Sequence, residues 1–256
     1  MMENGDEFRR WDELIPDTLG LIFRNLSLQE ILTVVPLVCK AWNMTVLGPY
    51  CWQEIKIDDE LCCSLQPDQL DLLLRMLITR SSGSLRKFSV SRFLSKDIFT
   101  FLTEHSGCLK MLGFPRSEIN NTVVEQFAGR LTMLECLDLS SCVEIGASAL
   151  EAIGNSCKSL IYLCRNLRPS DFFHTTPQKD EAFAIASTMP KLKRLEMAFH
   201  VIDTHGVLKI LAGCAELGYF DLRGCYSAKP DPEFLKVKFP NVKIVGKLGI
   251  GICQAR

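Results

Sequence analysis

Histidine, cysteine and carboxylate side chains are where catalysis or metal binding would have to start, and in this chain they are dispersed. His105, His174, His200 and His205 never fall into the H-E-x-x-H spacing that sets two imidazoles on one helix face to hold zinc. Twelve cysteines include the adjacent pair Cys62–Cys63, but no C-x-x-C is present to close a zinc or dithiol site. A phosphate-cradling glycine loop and a G-x-S-x-G nucleophile turn are absent as well. Cys39 therefore reads as a small apolar residue, Cys62 and Cys63 as packing residues, and His200 and His205 as exposed residues of a turn. No cofactor or metal is expected, and the chain reads as non-catalytic.

What the chain does carry is a recurring phrase. SLRKFSV, CLKMLGF, MLECLDL, SLIYLCR, KLKRLEM, ELGYFDL and NVKIVGK have their first apolar anchors at Leu85, Leu109, Leu134, Leu160, Leu192, Leu217 and Val242, spaced 24, 25, 26, 32, 25 and 25 residues apart. That period and the pattern L-x-x-L-x-L-x-x-N/C-x-L, met by Leu134, Leu137, Leu139 and Cys142 and again by Leu217, Phe220, Leu222 and Cys225, are those of leucine-rich repeats. Each phrase leads into an apolar helical patch, such as Val123/Val124/Phe127 or Val207/Ile210/Leu211. The expected fold is α/β: a curved solenoid with short parallel strands inside and helices outside, each unit stacked on the next because none can bury its own leucines. Trp52-x-x-Ile55-x-Ile57 fits the same phrase, so repeats should span 52–256 as about eight short units with an insertion at 168–180.

Alternation along the strands then assigns faces. The fourth and sixth phrase positions point inward, and the third, fifth and seventh line the concave surface. The third reads Lys87, Met111, Cys136, Tyr162, Arg194, Tyr219, and the fifth Ser89, Gly113, Asp138, Cys164, Glu196, Asp221. One inward position is anomalous. Arg165 stands where an apolar residue belongs, and an unpaired buried cation is very costly. It should pair with Asp171 or Asp138, or turn out to solvent.

Residues before Trp52 show a different rhythm. Leu19/Ile22/Phe23/Leu26, Leu28/Ile31/Leu32/Val35 and Val38/Ala41/Trp42/Thr45 each follow helical spacing, which predicts three helices of about ten residues. Pro16 suits a first turn, Ser27 with Glu30 a capping box, and Pro36 the start of the third helix. Three such helices are too small for a strong core of their own. Composition sets the wider limits. A net charge of −1 gives no reason to expect nucleic acid or an anionic membrane as partner, and no run approaches the ~18 apolar residues of a membrane span. With no secretory leader at the start, the cysteines are expected to be reduced, placing the protein inside the cell, in nucleus or cytoplasm.

Residues 11–51, and above all Val38-Cys39-Lys40-x-Trp42 with the trailing Trp52, resemble an F-box. Followed directly by cysteine-type repeats, the chain resembles plant F-box/leucine-rich-repeat proteins. One departure is the start of the box, where the usual Leu-Pro pair reads Leu14-Ile15-Pro16. The resemblance implies a substrate receptor of an SCF (Skp–cullin–F-box) ubiquitin ligase. The box would grip a Skp-type adaptor, and through it the cullin and RING subunit, while the repeats hold a protein substrate. It implies adaptor contacts at Leu14, Pro16, Leu19, Ile22, Phe23, Leu26, Val38, Cys39, Lys40 and Trp42. A non-degradative scaffold and a small-molecule-dependent co-receptor remain as alternatives.

Substrate recognition is expected at Tyr162, Arg165, Phe172, Phe173, Arg194, Glu196, Tyr219 and Asp221. The long repeat, Leu160 to Leu192, exceeds the 25-residue repeat after it by seven residues, and its RPSDFFHTTPQKD segment holds Phe172-Phe173 between Pro169 and Pro177. Insertions in such arrays lie on one face, often the binding one. Changing both phenylalanines to serine should abolish target capture while adaptor binding and the melting temperature stay near wild type. Normal capture and degradation by the double variant would remove the loop from the recognition surface.

Overall fold

The computed structural model describes residues 11–92, 95–173 and 179–246, and the backbone alone of Phe172, Phe173 and Lys179. The segment after Gly246, where the sequence supplies no evident capping helix, lies outside the described residues.

Eight short strands form one sheet in sequence order, every neighbouring pair parallel. They are β1 Glu54–Ile57, β2 Lys87–Val90, β3 Met111–Gly113, β4 Cys136–Asp138, β5 Tyr162–Cys164, β6 Arg194–Glu196, β7 Tyr219–Asp221 and β8 Lys243–Val245. Strand residues alternate between faces. Ile55, Phe88, Leu112, Leu137, Leu163, Leu195, Phe220 and Ile244 therefore stand in register as one inward column, of which the first seven are buried. Between strands run α5 Asp59–Ser64 and α6 Pro67–Arg80, then α7 Lys96–His105, α8 Asn121–Phe127, α9 Ala147–Ser156, α10 Lys179–Thr188, α11 Thr204–Gly213 and α12 Pro232–Lys238. Side chains of Asp58, Ser95, Asn120 and Asp203 accept from backbone N–H groups at the starts of α5, α7, α8 and α11. This answers the orphan donors of a helix start, so each short helix can begin at a fixed place after its strand.

The ladder continues past the strands. Four residues beyond the inward strand position the backbone turns left-handed, at Arg92, Arg116, Ser141, Phe199 and Gly224, with φ between 56° and 74°. The N–H groups of the first four of these donate to carbonyls of the following repeat: Pro115, Ser140, Asn166 and Arg223. At Gly224 a side chain is excluded outright, since a Cβ would overlap the Phe199 ring.

The cysteines of the phrase have a mechanical reason. The Cys142 thiol donates to the Phe114 carbonyl at 3.1 Å and the Cys225 thiol to the Met197 carbonyl at 3.0 Å. Each reaches one repeat back. His200 occupies the same place, eight residues past Leu192, and its Nε2 donates to the Arg165 carbonyl at 2.5 Å. The expectation that His200 is an exposed turn residue is thus corrected: its ring is buried, because it substitutes for a ladder thiol.

Arg165 is wholly buried, and its partner is neither Asp171 nor Asp138. Its guanidinium donates to Glu181 in the first turn of α10 (3.1 and 3.3 Å) and to the carbonyls of Ile145 (2.6 Å) and Leu139 (3.4 Å). Glu181 is equally sealed. Burial pushes its carboxyl above the ordinary range against the pull of Arg165. The pair ties the helix that follows the insertion to the repeat that precedes it.

Two further expectations need correction. The last strand is shifted by one residue: Ile244, not Val245, stands opposite Phe220, because one residue fewer separates Val242 from its strand. The N-terminal segment folds as four short helices, not three: α1 Pro16–Phe23, α2 Leu28–Thr33, α3 Val35–Val38 and α4 Lys40–Leu47. Extended backbone at Cys39 (φ −159°, ψ 170°) separates the last two. The Ser27–Glu30 capping box forms as expected. Leu19, Phe23, Ile31, Val35 and Val46 make the small core, with the half-buried Trp42 edge-on to Phe23 at 4.9 Å. Trp52 joins this core to the solenoid. Its ring is buried ahead of β1, and its N–H donates to the Val46 carbonyl of α4 at 2.7 Å.

Replacing Trp52 by alanine should cost ~3–5 kcal/mol in denaturant unfolding. Phenylalanine, which restores most volume but strands the Val46 carbonyl, should cost about 1–3 kcal/mol. An alanine variant as stable as wild type would show that the junction does not depend on this ring. The second prediction concerns acid. Burial, helped by the Arg165 cation, pushes the His200 pKa down to about 3 from 6.5. The unfolded chain therefore binds a proton near pH 6.5 that the folded chain refuses until about pH 3. This group costs nothing above that window and destabilises progressively as pH falls through it, by up to ~1.4 kcal/mol per pH unit. His200→Cys, which keeps a ladder donor, should lose about 2 kcal/mol less than wild type between pH 7 and pH 5. Equal losses would mean the imidazole is not held neutral.

Candidate protein-interaction surfaces

The first surface lies on the N-terminal helices. Of the residues with implied adaptor contacts, Pro16, Ile22, Leu26, Val38 and Lys40 are exposed, and Leu14, Cys39 and Trp42 are half-buried. Leu19 and Phe23 are core residues, buried against α4, and cannot touch a partner directly. Sequence reasoning missed Ile15, Leu21, Val34, Leu37, Met44 and Leu47, which are large, apolar and exposed, Leu37 by 83%. Nine such side chains fall between residues 15 and 47, against seven over all described residues from 52 to 246. A missed signal was available: Val34, Leu37 and Val38 are three of the five apolar residues in Val34-Val35-Pro36-Leu37-Val38, more than one helix face can bury.

The second surface is the open face of the sheet, across which register lines up two rows of side chains. One runs Glu54, Lys87, Met111, Cys136, Tyr162, Arg194, Tyr219, Lys243, and the other Lys56, Ser89, Gly113, Asp138, Cys164, Glu196, Asp221, Val245. Its C-terminal part is a built network. The Arg194 guanidinium lies 4.1 Å from the Tyr219 ring centre and 5.6 Å from that of Tyr162. Glu196 accepts from Arg194 Nη2 (2.6 Å), Tyr162 Oη (3.1 Å) and Asn166 Nδ2 (3.0 Å). Burial pushes the Glu196 carboxyl up, but these hydrogen bonds outweigh it and hold it below the usual carboxylate range. Arg223 caps Asp221 with a forked contact of 2.6 to 3.0 Å.

Two expected recognition residues are displaced by this geometry. Arg165 is inside, as described. Asp221 is on the open face but fully covered, 0% exposed beneath an Arg223 side chain that is 63% exposed. Arg194 is likewise 48% exposed over a Glu196 that is 13% exposed. Tyr162, Arg194, Glu196 and Tyr219 do come together, and Arg223 joins them unforeseen. The side chains of Phe172 and Phe173 lie outside the described residues.

Among the described residues no group of three or more His, Cys, Asp or Glu could hold a metal ion, and no helix is long and apolar enough to cross a membrane. Burial pushes the thiols of Cys142 and Cys157 up to about 11 and those of Cys164, Cys214 and Cys225 up to about 12, so they are protonated packing and hydrogen-bonding groups at neutral pH.

No family model matches the chain. It is 54% identical over 250 residues to F-box protein FBW2 of Arabidopsis thaliana, covering 98% of this chain and 79% of that protein. It is 30% identical over 238 residues to putative F-box/LRR-repeat protein 23 of the same plant, covering 93% of this chain and 53% of the relative. Among solved structures it is similar to the leucine-rich repeat-containing protein LegL7 of Legionella pneumophila, with a TM-score of 0.45 and 15% identity over 67% of this chain and 57% of that one. With box helices, an in-register repeat sheet and relatives of this extent, the chain belongs to the plant F-box/leucine-rich-repeat proteins.

Proposed function

We propose that this chain is the substrate-recognition subunit of an SCF ubiquitin ligase. It binds a Skp-type adaptor, and through it cullin and RING subunit, by its box, and holds a target protein on its repeats for ubiquitination and proteasomal degradation. The chain supplies no catalytic group. It acts by raising the local concentration of target lysines near a charged conjugating enzyme.

The observation that carries this reading is the concentration of exposed apolar side chains on the box. So many exposed apolar side chains on helices with so little core of their own fit an obligate partner. Leu37 and Val38 sit together on α3, just before the break at Cys39, where a partner helix could cover both. The adaptor contact is assigned to Ile15, Pro16, Ile22, Leu37, Val38 and Lys40, with Leu19, Phe23 and Trp42 holding the helices beneath. Tyr162, Arg194, Tyr219 and Arg223 are assigned to the target.

Leu37→Asp should weaken binding to a co-expressed Skp-type adaptor by ~30-fold or more, the effect of about 2 kcal/mol at an interface centre. Its melting temperature without adaptor should stay near wild type, because the side chain is already in water. Adaptor capture at wild-type level would sink the assignment of this face. Stabilisation of a captured target on cullin inhibition separates a ligase receptor from a non-degradative scaffold.

A further inference from the structure

The open face changes character along the solenoid. At its N-terminal end, Glu54 and Lys87 pair at 3.0 Å with both partners half-exposed, and Lys56 of the second row is exposed beside them. At its C-terminal end the two signs are separated by depth. Glu196 and Asp221 are sunk beneath Arg194 and Arg223, and Lys243 stands exposed at the end of the same row. A partner laid on this end meets guanidinium, ammonium and tyrosine, while the carboxylates stay out of its reach.

These cations are also positioned in advance. Arg194 is held by Glu196 and by two tyrosine rings, and Arg223 by a fork onto Asp221. Each guanidinium keeps N–H groups that its carboxylate does not use, in a fixed direction, so little side-chain entropy is lost when a second acceptor arrives. From Tyr162 to Lys243 the row crosses three strand spacings, ~14 Å, the reach of about four residues of extended chain.

We propose that the Tyr162–Arg194–Tyr219–Lys243 row, with Arg223 beside it, is the docking site for an extended, carboxylate-bearing segment of the target polypeptide. The inference rests on the receptor reading above and adds the chemistry of what is received. Three cations over two sunken carboxylates leave one net positive charge on this end of the face, which matches a single Asp or Glu side chain and under-compensates a phosphate dianion. The tyrosines and the stacked guanidinium plane cover the aliphatic stem of that acidic residue and the peptide planes beside it.

The test uses the full chain bound to a Skp-type adaptor, with a random-peptide phage library as probe. The best binders are then synthesised in three forms: with Asp or Glu, with the matching amide, and with phosphoserine. Acidic peptides should be enriched, and exchange to the amide should weaken them roughly tenfold, with strong salt dependence. Lys243→Glu and Arg194→Ala should each cause a comparable loss. If Arg194→Ala lowers the melting temperature, Lys243→Glu at the exposed end of the row decides alone. Selection of neutral or basic peptides, preference for the phosphorylated form, no enrichment, or affinity indifferent to Lys243→Glu would each overturn the proposal. Adaptor binding measured on the same preparation keeps the two readings apart: its loss counts against the receptor, its retention without acidic selection against this site alone.

Discussion

A parallel strand of three residues has no stability of its own; it exists because the strand beside it presents the same side chain at the same height. The column from Ile55 through Leu137 to Ile244 is that condition in physical form. Each member is covered by its neighbours on either side, so burial propagates from unit to unit. Hydrogen bonds reinforce the column at two more levels, through the left-handed residues whose N–H groups donate one repeat forward and the Cys142, Cys225 and His200 side chains that reach one repeat back. Everything exposed on the open face inherits its spacing from this ladder, including the order Tyr162, Arg194, Tyr219, Lys243.

A ladder has ends, and the first is closed by the box. Trp52 takes the place that Leu85 holds one repeat later, yet its indole reaches back to the Val46 carbonyl, so one residue belongs to both units. The box needs that support. Five buried apolar side chains are a thin core for four helices, and the surplus of exposed ones is the surface proposed above for the adaptor. Stability borrowed from the solenoid lets the outer face of α3 remain apolar without the helices collapsing onto it.

The period of the phrase made the solenoid legible, because a leucine anchor, an inward strand residue and a helix patch recur together. Ser27 and Glu30 announced their capping box, and Trp52 its anchor role, by spacing alone. Elsewhere the pattern was silent or ambiguous. Val242, Ile244 and Val245 are all apolar, so alternation could not choose between two registers for β8. The split at Cys39 is a backbone event inside an otherwise helical pattern. Proximity in sequence pointed Arg165 to Asp171, whereas the fold brings Glu181 from the far side of the insertion, and Asp171 instead holds Arg168 at 3.0 Å. His200 was readable: it lies eight residues past its anchor, as Cys142 and Cys225 do. At that position an imidazole N–H does the work of a thiol.

The inward arginine and the outward one are two solutions to the same problem within neighbouring repeats. At Arg165 the charge is sealed with a carboxylate and two carbonyls, leaving no donor direction for a partner; breaking such a pair is costly and its gain is positional. It fixes where α10 starts, and with it both ends of the insertion. At Arg194 the carboxylate is placed below and the guanidinium above, so the same ion-pair chemistry leaves donors facing outward. Depth relative to the sheet, set by whether the residue falls on the sixth or the third position of the phrase, decides which arginine is structural and which can meet another protein. The repeat that carries the insertion therefore joins a sealed polar core, the Arg165–Glu181 pair, to the most strongly pre-organised part of the open face, where Arg194 keeps its outward donors.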